Sequence, residues 1–206
     1  MSLPSIPDPA VLRRGRRGML LLMLVLSTFG ACGLTGSVGA LSAPPPALDS
    51  SVEQAAGDGE AASRALVEAF WEAPARKALA VANLLLSALL LVASGSWALL
   101  RASAPWWTRQ AVAANALWTL ADAGQQLWVL HEGRDVLLPL LEAELRAQLG
   151  EQAAQQPVHG EYVLIGYALL ALLWGGLRLG AYVWAWRRAH AEEVLAALRA
   201  FRGLRG

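Results

Sequence analysis

Four long apolar stretches set the pattern of this chain. They cover 19–41, 77–100, 110–130 and 161–186, and polar residues collect between them. Crossing a hydrocarbon core of about 30 Å takes roughly 20 apolar residues of helix, and each stretch is long enough. A soluble domain would spread its apolar residues at helical or strand period instead. The pattern predicts an all-α membrane protein with four transmembrane helices in an antiparallel bundle.

The segments between follow from the same reading. Residues 1–18 form a basic tail, with Pro4, Pro7 and Pro9 followed by Arg13, Arg14, Arg16 and Arg17. Residues 42–76 open with Pro44, Pro45 and Pro46, then show a short helical stripe through Leu66, Val67, Phe70 and Trp71 up to Pro74. Residues 101–109, RASAPWWTR, are too short for anything but a tight connection, and their two Trp suit a membrane–water interface. In 131–160, Leu137, Leu141, Leu145 and Leu149 recur every four residues, which predicts an amphipathic helix. The tail 187–206 places Val194, Leu195, Leu198 and Phe201 on one face of another, with Arg on the rest.

Charge supplies the orientation. Arg13, Arg14, Arg16, Arg17, Arg101, Arg109, Arg187, Arg188, Arg199, Arg202 and Arg205 fall on one side. Arg64, Arg76, Lys77, Arg134 and Arg146 fall on the other, eleven against five. The excess of basic residues marks the cytoplasmic side, so both termini are expected there. Charged residues make up only 16% of the chain, below the roughly 25% of soluble domains. A net charge of +1 without a basic cluster offers nothing to nucleic acid. Arg outnumbers the single Lys77 so heavily, beside abundant Ala, Gly and Leu, that a high-GC gene and a bacterial inner membrane are expected.

Chemistry is sparse. Cys32 is the only cysteine, which excludes an internal disulfide. The run Phe29-Gly30-Ala31-Cys32 weakly resembles a lipobox, so lipidation at Cys32 is a minor alternative to an uncleaved anchor. His131, Glu132, Asp135, His159 and Glu161 bracket the long loop and make a weak case for a metal, against the simpler reading of interfacial polar residues. Neither a phosphate loop nor a nucleophile elbow is present, and no metal site or cofactor is expected. Gly176 and Gly180 form a small-xxx-small pair for helix packing, within the bundle or in a homo-oligomer, and Gly30, Gly33 and Gly36 line the first span.

Functional expectation therefore rests on contacts. The chain reads as a non-enzymatic accessory or structural subunit in the bilayer, with 131–160 and 187–206 as surfaces for a protein partner. The alternative is a small transporter or channel component using Asp122, with Asn115, Gln125 and Gln126 beside it.

Asp122 and Arg178 are the charges placed deepest in the apolar stretches, where an ionised group costs several kcal/mol unless paired. At 1.5 Å per residue their expected depths differ by roughly 7 Å, within reach of an Arg side chain. The expectation is an intramembrane ion pair that acts as a register clamp. Asp122→Asn and Arg178→Gln should then each lower accumulation of the protein in membranes, read by quantitative immunoblot. Normal levels of both variants would remove the clamp.

Overall fold

The computed structural model describes residues 8–42, 70, 72, 73, 75–149 and 159–203, without the side chains of 144 and 147–149. The loop expected over 42–59 apart from Ser42, most of the stripe before Pro74, the polar stretch 151–157 and both extreme termini lie outside these residues. The helices are α1 (Pro9–Ser42), α2 (Arg76–Ala98), α3 (Ala104–Glu132), α4 (Arg134–Leu149), α5 (Glu161–Ala189) and α6 (Glu192–Gly203). No strand occurs among the described residues. Three helices, α1, α2 and α5, are long and apolar enough to cross a membrane. At 29 residues α3 is as long as α5 but more polar in its middle.

Two boundaries differ from those expected. The helix of the first span starts at Pro9, not at Met19, so the basic residues lie within it. The cause is local. The Asp8 carboxylate accepts the Ala10 N–H at 2.8 Å, and its carbonyl accepts those of Val11 and Leu12. Pro9 sits at the first helical position, where its missing N–H costs nothing. The 34 residues of α1 reach about 50 Å, more than the hydrocarbon core needs.

The second difference lies between α2 and α3, where most of the nine-residue connection joins α3 and only Leu99–Ser103 remains non-helical. Leu100 ends α2 in the left-handed conformation, φ 54°. Arg101 N–H donates to Ser96 O at 2.9 Å and Leu100 N–H to Trp97 O at 3.0 Å. This is the Schellman pattern, usually built on glycine. The Leu100 side chain packs on the core, which offsets a strain of roughly 1–2 kcal/mol.

The chain divides into two compact units. The first comprises Met1–Leu41, Ala80–Thr119 and Leu177–Gly206. Its core joins Leu22 and Leu26 of α1, Leu90, Ala93 and Trp97 of α2, Ala104 and Ala111 of α3, Ala185 and Ala189 of α5, and Val194, Ala197 and Leu198 of α6. Alanine at so many buried positions lets helix axes approach closely. The tail helix is therefore docked, with its apolar face inside the unit. Gly15 and Gly18 of α1 make room for it. A Cβ at Gly15 would meet the Ala197 methyl at 2.6 Å, and one at Gly18 would meet Val194 Cγ2 at 2.8 Å. An ion pair between Arg188 and Glu193 closes the turn into α6.

The second unit comprises Ser42–Leu79 and Leu120–Gly176. Leu137 and Leu141 of α4 pack with Leu130 of α3 and Leu164 of α5, and Phe70 joins them. The four-residue stripe of α4 is thus an inward face. Buried Gly160 lies against α4, where a Cβ would be 3.1 Å from the Leu138 carbonyl.

Enlarging Gly15 should undock α6. With Gly15→Val, trypsin should cleave after Arg199 and Arg202 several times faster than in the parent, read by mass spectrometry of the released tail. An unchanged cleavage rate would show that α6 is held elsewhere.

Candidate functional site

Helix α3 concentrates the polar side chains. Thr108, Asn115, Thr119, Asp122 and Gln126 follow one another at steps of seven, four, three and four, which keeps them near one face. In the first unit, Thr108, Asn115 and Thr119 are 0–2% exposed. Each is satisfied. The Trp97 indole N–H donates to Thr108 Oγ1 at 2.8 Å, and that hydroxyl donates to Ala104 O at 3.0 Å. The Asn115 amide donates to Leu86 O on α2 at 3.0 Å and to Ala111 O at 2.8 Å. The Thr119 hydroxyl donates to Asn115 O at 2.9 Å.

Arg178 on α5 belongs to the same unit. Its guanidinium carbon lies 5.4 Å from the centroid of the Trp118 ring on α3. Tyr182, one turn along α5, hydrogen-bonds the Thr119 side chain and packs on Phe29 of α1 at 5.6 Å between centroids. At the end of the unit Trp186 carries Arg109 over its ring at 5.2 Å and His190 beside it at 5.8 Å.

The α1–α2 contact is also polar. The Asn83 amide donates to Gly33 O at 3.3 Å, and Ser94 Oγ donates to Met23 O at 3.1 Å. A Cβ at Gly30 would lie 2.8 Å from the Leu91 side chain, and one at Gly33 would run into Ser87. Gly36 faces open space, so two of the three glycines singled out on this helix make the contact.

In the second unit Gln126 Nε2 donates to Asp122 Oδ2 at 3.0 Å, in a half-buried position. The neighbouring Gln125 Oε1 is buried without a hydrogen-bond partner among the described residues. Asp122 and Arg178 lie in different units, and neither charge is left bare.

At the rim of the second unit, Arg134 holds Glu161 at 2.5 Å, and both side chains are 54% exposed. His159 stacks edge-on against Tyr162 at 5.5 Å. With Leu127, Leu130, His131, Leu164, Ile165 and Ala168, the Arg134–Glu161 pair lines a groove of about 260 Å³. No three His, Cys, Asp or Glu side chains converge as a metal site among the described residues. Cys32 is exposed on α1, which continues unbroken to Ser42. No described residue lies within 4 Å of a Cβ built at Gly176 or Gly180.

The sequence singled out neither Thr108 and Thr119, with their neighbours Trp97 and Tyr182, nor Trp118 beside Arg178. The helical spacing on α3 was a readable signal for the threonines. For the aromatics the sequence carries no such signal, and only the helix pairing shows that these three face polar groups.

The cation–π contact is open to test. Trp118→Leu should destabilise the protein by about 0.5–2 kcal/mol in thermal unfolding in detergent, and Trp118→Phe should retain most of that stability. Equal stability of Trp118→Leu and the parent would show that the ring contributes nothing to holding Arg178.

No family model, curated protein or solved structure matches this chain.

Proposed function

We propose that this chain is a four-span protein of a bacterial inner membrane with both termini in the cytoplasm. On this reading α3 is the fourth span. The order of contacts within the first unit supports it. Residue 23 meets 94 while 33 meets 83, 97 meets 108 while 86 meets 115, and 109 meets 186 while 118 meets 178. Each pair of contacts runs in opposite chain directions, as in an up-down-up-down bundle. A polar α3 is tolerated in lipid because its polar face turns toward its neighbours. The positive-inside bias supports the orientation.

The protein acts, in this proposal, as a non-enzymatic accessory or structural subunit that works by contacts. One observation carries the reading. Ser94, Thr108 and Asn115, buried in the first unit, tie neighbouring helices through a backbone carbonyl or an indole ring, so their chemistry serves to hold the helices together. The surfaces offered to a partner differ from the sequence expectation. The apolar faces of α4 and α6 are occupied inside their own units, which leaves outward charged faces such as Glu142–Arg146 on α4 and Arg199 and Arg202 on α6. Along α5, Leu169, Leu173 and Leu177 are 59–68% exposed and meet lipid or another helix.

A transport role for Asp122 is the second reading, favoured by its bond to Gln126 and by the buried, unsatisfied Gln125 oxygen. Two measurements separate the readings. Crosslinking in native membranes followed by mass spectrometry should recover a heterologous protein reproducibly, and ion flux in reconstituted vesicles should stay at background. Flux that is present in the parent and lost in Asp122→Ala would replace the subunit reading with transport.

A further inference from the structure

Where α5 leaves its apolar stretch, Gly180, Val183, Trp184, Arg187, Arg188 and Ala191 line an open groove of about 350 Å³. All six belong to the first unit. One wall is apolar: Val183 is 58% exposed and Trp184 39%. Gly180 adds a gap, because no described residue lies within 4 Å of where its Cβ would be. The other end is cationic. Arg187 is exposed, and Arg188, half-buried, holds Glu193 and reaches the Arg14 carbonyl at 3.5 Å. That contact brings the basic start of α1, with Arg13, Arg14, Arg16 and Arg17, to the end of the unit that carries Arg187 and Arg188. Glu192 and Glu193 are the carboxylates α6 sets against them.

The geometry points to a binding site for an anionic phospholipid. The phosphodiester sits on Arg187 and the outer side of Arg188, where a guanidinium offers paired donors to phosphate oxygens. An acyl chain runs along Val183 into the gap at Gly180. The Trp184 ring lies at the glycerol level, where amphipathic rings collect. The excess of cations at this end selects for a net negative headgroup, as basic pockets on cytoplasmic membrane surfaces do. A zwitterionic lipid would bring its ammonium into the same cationic rim. Free phosphate would leave the apolar wall unused.

The test uses the full-length protein, delipidated in detergent and given equimolar phosphatidylglycerol and phosphatidylcholine, with bound lipid read by native mass spectrometry. Phosphatidylglycerol should be retained in preference. Arg187→Gln should lower that retention about fivefold, the scale of one basic residue at an anionic surface. Gly180→Leu, which fills the gap without touching any charge, should lower it as well. Both sites are exposed, so neither change threatens the fold. Arg202→Gln removes an exposed charge from α6 outside the groove and should leave retention unchanged. Equal retention of the two lipids would overturn the site, as would no loss in Arg187→Gln or an equal loss in Arg202→Gln. Displacement by inorganic phosphate would reduce it to a simple anion site and overturn the lipid assignment.

Discussion

A polar group buried away from water must find its partners within the protein. That requirement governs how α3 is held. Buried without partners, Thr108, Asn115 and Thr119 would each cost free energy. Turned inward they meet the Trp97 indole, the Leu86 carbonyl and the Tyr182 hydroxyl. Each such bond is worth only about 0.5–1.5 kcal/mol net. Their value is directional. A rotation of α3 by one residue would unpair several of them together, so they set the face that α3 shows to α2 and α5.

Close approach of the helices makes these short bonds reachable. An amide on one helix bonds a carbonyl on the next only where the intervening side chains are small. Gly30 and Gly33 provide this on α1, and Ala93, Ala111 and Ala185 elsewhere in the first unit. Leu100 follows the same logic at the α2–α3 turn. Its left-handed backbone gives a connection short enough for Trp97 to face Thr108, and packing of its side chain offsets the strain. Gly15 and Gly18 let α6 lie against α1, which turns a basic amphipathic tail into part of the first unit's core.

The two amphipathic helices show how far periodicity carries. A stripe such as Leu137, Leu141 and Leu145 says that one face avoids water, and it leaves open what covers that face. Leu130 and Leu164 cover α4, and the core of the first unit covers α6. What these helices leave outward is charged, and contacts made there would be salt-sensitive.

The sequence by itself determined the helical class and the three helices able to cross a membrane, because uninterrupted apolar length is a local property of the chain. It also located the two amphipathic helices, through residues four apart. The N-terminal end of α1 was equally local, written in Asp8 and Pro9, but the prolines of the tail masked that signal. Tertiary structure alone decided which polar residues meet. Asn115 and Leu86 are far apart in the chain, and Trp118 finds Arg178 only once α3 and α5 pack. It also decided that Gly30 and Gly33 make a helix contact whereas Gly36, Gly176 and Gly180 meet no described residue. Gly33 and Gly36 are spaced as Gly30 and Gly33 are, so spacing does not separate the two cases. What differs is whether a neighbouring helix stands opposite, and that depends on how every element packs at once.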